Sequence, residues 1–184
     1  MVLAKVELVE SKNIYSGAIS LRKDKFLLNG RLVEKEIVEH NESVGIVPLI
    51  NHSVVLVTQY RRAAGKTLLE IPAGKIESGE TPQQAASREL GEEIGYTGQL
   101  RRLTRWYLAP GYDTELMHVF VASRLRKIKR GMLDSDEDIK IKRVKLDEAV
   151  RKCVSGEIQD CKTVAALLAF RSQTKSRRKR AAEG

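Results

Sequence analysis

Cysteine is scarce in this sequence, and no long apolar run exists. Cys153 and Cys161 are the only two cysteines, and neither sits in a CxxC or Cys/His spacing. That excludes a disulfide framework and a zinc ribbon, and it predicts a reducing compartment. No apolar run approaches the roughly 20 residues that a membrane helix needs, so no membrane partner is expected. The opening "MVLAKVELVESK" lacks the continuous apolar core of a secretory signal. The expected location is cytoplasmic. His40, His52 and His118 are scattered and form no recognisable ligand set. Gly65-Lys66-Thr67 looks like the end of a phosphate-binding loop. That loop needs a glycine five positions earlier, where Tyr60 stands, and a helix start after it, so the match fails. There is no internal repeat and no long linker.

What is present suits a globular protein: 184 residues, 42% hydrophobic and 31% charged, enough for one packed domain with a small addition. The formal net charge is +9, but it is unevenly spread. Residues 171–184, "RSQTKSRRKRAAEG", carry six Lys/Arg and one Glu. They follow the last apolar run and offer nothing to bury, which predicts a basic disordered tail. Such a tail either solubilises the protein or attracts nucleic acid through phosphate contacts; the first role is the expected one.

The first 40 residues read as strands. "AKVELVE" alternates apolar and polar residues, as a half-buried strand does. Asn29-Gly30 separates two extended runs and tolerates the positive φ angles of a type I′ turn, predicting a hairpin. Asn51-His52 separates the β-branched runs "SVGIVPLI" and "SVVLVTQY", a second hairpin. "LLEI" is a short strand before Pro72. Thr81-Pro82-Gln83-Gln84 then combines a capping threonine, proline at the first helical position and glutamine three residues after the cap. The helix should run to about Ile94 and stop at Gly95. "ELMHVFVAS" returns to strand, "RVKLDEAVRKCVSG" enters a helix ending at Gly156, and "TVAALLAF" is a final apolar helix. Strands around a central helix predict an α+β, or mixed α/β, domain.

The central helix carries the chemistry. Gly74–Gly98 holds five glutamates. At 100° per residue, Glu89, Glu92 and Glu93 share an arc of about 100°, beside the apolar stripe of Ala86, Leu90 and Ile94. Three carboxylates on one side repel one another. A hard divalent cation such as Mg²⁺, which takes oxygen ligands from a few carboxylates and substrate phosphates, removes that conflict. The plainer alternative is a solvated acidic face neutralised by Arg88 and nearby lysines.

The spacing around these residues decides the weight. Gly74 is followed after five residues by Glu80, then after seven by Arg88-Glu89-Leu90, then by Glu92-Glu93 and Gly95. This resembles the Nudix box, Gx5Ex7REUxEExGU with U aliphatic, at all seven fixed positions. Tyr96 stands where an aliphatic residue is usual. The resemblance implies a Nudix fold, a mixed β-sheet sandwiched between helices, and Mg²⁺-dependent hydrolysis of a nucleoside diphosphate derivative, with Mn²⁺ as an alternative ion. It implies metal ligation by Glu89 and Glu93, with Glu92 supporting, and by the backbone carbonyl of Ala73. Glu92 and Glu93 thereby count among the catalytic residues, and Gly74, Glu80, Arg88 and Gly95 are structural in the motif.

The flanks narrow the resemblance. "VTQYRRAAGKTLLEIPAGKIE" and "WYLAPGYDTELMHVFVA" resemble the ADP-ribose pyrophosphatase branch, with Pro110 14 residues past Tyr96 and Ala109 in place of a serine. "GEIQDCKTVAALLAF" resembles its terminal helix. Residues 1–40 resemble its N-terminal antiparallel β region, residues 41–170 its hydrolase domain. This implies a homodimer whose N-terminal strands help build the substrate site, with Lys35 and Glu36 reaching the partner's substrate. Lys35 stands where arginine is common. Arg61 reads as a phosphate or ribose contact, or else as a surface charge beside Arg62; Pro110 and Gly111 are further substrate-binding candidates. The branch draws its base from an acidic loop after the box. Here "GMLDSDEDIKI" offers Asp134, Asp136, Glu137 and Asp138, and Glu137 is the expected catalytic base. The implied reaction is hydrolysis of ADP-ribose to AMP and ribose 5-phosphate. Alternatives are another nucleoside diphosphate sugar, a dinucleotide, or a non-catalytic nucleotide- or RNA-binding module.

Overall fold

The computed structural model describes residues 4–17, 19–129 and 139–182. The chain divides into two compact units, one of residues through Glu42 with Tyr107–Leu116, the other of the remainder.

The first unit is an antiparallel sheet of β1 (Val6–Ser16), β2 (Ser20–Leu28) and β3 (Arg31–Glu39), in that order. The β2–β3 turn is built as its sequence dictates: Asn29 and Gly30 adopt φ of 52° and 82°, the left-handed angles a two-residue hairpin needs. The segment after Tyr107 joins β3 through backbone hydrogen bonds. Val38 N–H donates to the Tyr112 carbonyl at 2.7 Å, and Thr114 N–H donates to the Val38 carbonyl at 3.1 Å. Residues 107–116 therefore belong with the N-terminal strands, which corrects an N-terminal region drawn as 1–40 alone. The half-buried β1 expected from its alternation is also corrected. All eleven of its residues are exposed, among them Val6, Leu8, Val9, Ile14 and Tyr15. The pattern specifies an apolar strand, and this chain alone does not bury it.

The second unit is a seven-stranded mixed sheet. Its main path runs β10 (Lys140–Lys145), β5 (Ser53–Arg61), β4 (Ser43–Ile50), β9 (Leu116–Lys127), β8 (Tyr96–Tyr107). The strands β6 (Lys66–Glu70) and β7 (Ala73–Lys75) pair with β5 and β4. The β4–β9 pair is parallel, and the pairings of β5 with β4, β6 and β10 are antiparallel. Gly65, at φ 67°, ends the short turn Arg62–Ala64 rather than a phosphate loop. Three helices complete the described residues: α1 (Pro82–Ile94), α2 (Leu146–Ser155) and α3 (Cys161–Ala182).

Alternate residues of the central strands build the core. Val44, Ile46, Val55, Val57, Phe120 and Ala122 pack with Ala85, Ala86, Leu90 and Ile94 of α1. The residues between them, such as Val47, Val54, Leu56 and Val119, are buried too. A sheet covered on both faces reads as continuous apolar runs, which is why β4 and β5 look as they do. α3 corrects another expectation: it continues as helix to Ala182, where a disordered tail was expected from residue 171. No proline or glycine interrupts residues 161–182, so nothing in the chain stops the backbone ladder.

Candidate active site on the acidic helix

α1 starts where its cap dictates. Thr81 Oγ1 accepts from Gln84 N–H, and the Gln84 side-chain oxygen accepts from Thr81 N–H at 2.9 Å, a complete capping box. Gly95, at φ 70°, ends it. These two signals set the register of every glutamate between them.

That register places Glu89 and Glu93 on the buried side of the helix, 9% and 3% exposed, while the Glu92 side chain is 37% exposed. A solvated acidic face would expose all three. Gly74 makes room for Glu89: a Cβ there would lie 1.9 Å from Glu89 Oε1. Ala73 N–H donates to Glu93 Oε2 at 3.2 Å, so the strand before the box glycine and the last turn of α1 are tied together.

Arg88 organises the approach to this helix. Its Nε and Nη2 donate to the two Glu80 oxygens at 2.9 and 3.0 Å, and Nη2 also donates to the Lys75 carbonyl at 2.9 Å. Its Nη1 donates to Glu89 Oε1 at 2.7 Å and to Glu92 Oε2 at 3.0 Å. One guanidinium thus spans the strand, the loop and the helix with the planar fork that lysine lacks. The hydrogen bonds to Glu80 raise the Arg88 pKa furthest, and those to Glu89 and Glu92 add to it. In return Arg88, with a further hydrogen bond from Glu77 N–H, holds the Glu80 carboxyl below its usual range.

Among the described residues, no three His, Cys, Asp or Glu side chains already converge as a ready-made metal cage. The donors nevertheless fit a hard divalent cation. They are all oxygen, two of the carboxylates are buried at one helix face, and the Glu89 carboxylate lies directly against the bare backbone of Gly74.

A second group of charged residues, not anticipated from sequence, lies in the same unit. Glu70 is 1% exposed. Its oxygens accept from Arg61 Nε at 2.8 Å and Nη2 at 2.7 Å, and Lys162 Nζ donates to the same carboxylate. Burial pushes the Glu70 carboxyl up; the Arg61 and Lys162 contacts more than offset it, and the net displacement is downward. A lone glutamate inside the apolar run "LLEIPAG" was the available signal. Arg61 is therefore engaged on one edge by Glu70.

The remaining candidates lie elsewhere or outside view. Lys35 and Glu36 are exposed on β3 of the first unit, paired in register with Asp24 and Lys23. Pro110 and Gly111 are exposed in the turn where Tyr112 N–H and Asp113 N–H donate to the Ala109 carbonyl, also in the first unit. Glu137 and its acidic neighbours lie outside the described residues.

Over 164 residues the chain is 36% identical to the ADP-ribose pyrophosphatase of Bacillus subtilis (strain 168), covering 86% of this chain and 89% of that one. It is 38% identical over 164 residues to the methanol dehydrogenase activator of Bacillus methanolicus, with the same coverage. A crystal structure of an ADP compounds hydrolase has the same fold, with a TM-score of 0.86 over 96% of this chain and 98% of that one at 24% identity. Residues 39–164 match the NUDIX domain, a span that contains the whole glycine-to-glycine motif and the sheet that carries it; the chain belongs to the Nudix family.

Proposed function

We propose that this protein hydrolyses the pyrophosphate bond of ADP-ribose, giving AMP and ribose 5-phosphate, with Mg²⁺ as its metal and Mn²⁺ as an alternative. The observation that carries the reading is the burial of Glu89 and Glu93 on a helix braced by Arg88 and cradled by Gly74. The names of its similar relatives support the choice of substrate.

Glu89 and Glu93, supported by Glu92 and the Ala73 carbonyl, would hold the metal. When bound, the metal supplies Lewis-acid polarisation of the phosphate and lowers the pKa of the attacking water. Arg88 and Glu80 hold the loop and helix in register. Arg61, which engages Glu70 through Nε and Nη2, turns its Nη1 edge to the phosphates; Lys35 and Glu36 reach the partner's substrate, and Pro110 and Gly111 are further substrate contacts. Glu137 takes the proton from the attacking water, so that the bridging P–O bond breaks as the new one forms.

The active form is a homodimer in the cytoplasm. Support for pairing comes from β1, whose apolar side chains stand exposed along its length, a cost that a second copy would remove. No described helix is long and apolar enough to cross a membrane.

The test is a phosphate-release screen, coupled to a phosphatase, across ADP-ribose, other ADP- and UDP-sugars, GDP-sugars and dinucleotides with Mg²⁺. ADP-ribose should give the highest kcat/KM. A higher value for another compound would reassign the substrate, and no turnover of any would sink the hydrolase reading.

A further inference from the structure

The Arg61–Glu70 pair is one end of a longer chain of charges. Lys162 Nζ bridges Glu70 to Asp160 Oδ1, the latter at 2.8 Å. Asp160 caps α3, its Oδ2 accepting from Thr163 N–H at 2.9 Å, and Thr163 Oγ1 in turn accepts from Ile71 N–H at 2.8 Å. The start of α3 is thus fastened to the Glu70–Ile71 step at two points, 92 residues away in sequence. Two residues later comes Ala73, whose N–H donates to Glu93.

The charge count along this chain matters. Arg61 and Glu70 alone would be a neutral bidentate pair, a poor anchor for an anion. Lys162 is 12% exposed and shares the Glu70 carboxylate; with Asp160 beside it at 2.8 Å the four charges sum to zero, and without Lys162 they would sum to −1. Among the described residues Arg61 engages Glu70 through Nε and Nη2, which leaves its Nη1 edge for another acceptor. Hydrogen bonds to Glu70 raise the Arg61 pKa most, burial opposes them, and smaller pulls come from Asp160 and Glu93.

We infer that Lys162 is a positioning residue for phosphate binding: by sharing Glu70 it keeps the Arg61 guanidinium fixed in orientation, and it offsets a carboxylate charge that would otherwise oppose the substrate's pyrophosphate. This rests on the reading of Arg61 as a phosphate contact in a nucleoside diphosphate hydrolase. Lys162 itself touches no substrate and acts through Glu70 and Arg61.

The experiment measures binding of α,β-methylene-ADP, a non-hydrolysable nucleoside diphosphate, by calorimetry in Mg²⁺, alongside KM, kcat and thermal midpoints. Lys162→Met, which keeps bulk and removes charge, should weaken probe binding about tenfold, the scale of one charge-assisted hydrogen bond. KM should rise more than kcat falls. Lys162→Arg should restore binding to within about threefold, because its fork also reaches carboxylates. Should Lys162→Met fail to fold, Lys162→Gln, which keeps a donor without the charge, reads the same effect. Wild-type probe affinity in a folded, neutral Lys162 variant would overturn the inference, as would a folded Lys162→Arg as weak as Lys162→Met. Probe binding needs no turnover. Tight binding without ADP-ribose hydrolysis would therefore sink the substrate assignment and leave this inference standing.

Discussion

Gly74 and Glu89 occupy space that only one of them can fill: a Cβ on Gly74 would meet Glu89 Oε1 at 1.9 Å and Oε2 at 2.7 Å. The carboxylate lies against bare backbone. Gly74→Ala should therefore push Glu89 off the position where Arg88 holds it. The expected cost is about 1–3 kcal/mol, as for other overpacked sites, with weaker Mg²⁺ binding. Thermal denaturation and a Mg²⁺ titration of activity check this; an alanine variant with wild-type midpoint and metal dependence would contradict the crowding.

Glu93→Gln should keep the fold and lower turnover by roughly 100-fold or more, because it removes a ligand charge while keeping shape. Metal-free protein should be no less stable, since one of three neighbouring like charges is gone. Circular dichroism and steady-state kinetics at rising Mg²⁺ read both outcomes. Near-normal turnover at saturating Mg²⁺ would remove Glu93 from the metal site.

Glu137→Gln should lower kcat with little change in Mg²⁺ or probe affinity, because a base acts in the transition state. If Asp136→Asn is inactive while Glu137→Gln is active, the base is in the same acidic run at a different position. Activity in both variants would place it elsewhere.

Glu70→Gln should destabilise the protein by about 3 kcal/mol at pH 7, since it leaves the largely buried Lys162 and the partly exposed Arg61 short of a charge. The pH dependence has a definite sign. The Glu70 and Glu80 carboxyls are held below the ordinary 4.5 in the fold. Their contribution is present above pH 4.5 and is lost as pH falls through their lowered values. Denaturant midpoints measured from pH 7 down to pH 3 should fall below pH 4.5 in the wild type. They should fall less steeply in Glu70→Gln. Equal slopes would show that Glu70 is not held ionised by the fold.

Local chemistry made much of this protein legible from its sequence. Asn29-Gly30 sets its turn through backbone angles available to those two residues. Thr81, Pro82, Gln84 and Gly95 set both ends of α1, and with them the face shared by Glu89 and Glu93. Each acts within a few residues, so neighbours in the chain suffice. Tertiary structure alone decided the rest. Nothing near these residues in the sequence says that Arg61 will meet Glu70 over a separation of 9 residues, or that Glu70 will meet Lys162 over one of 92. That pairing exists because folding takes Glu70 out of water, and a buried carboxylate requires cations that only β5 and α3 bring to it. The exposure of β1 is likewise a tertiary fact: its alternation specifies an apolar face, but burial depends on what the rest of the chain supplies against it.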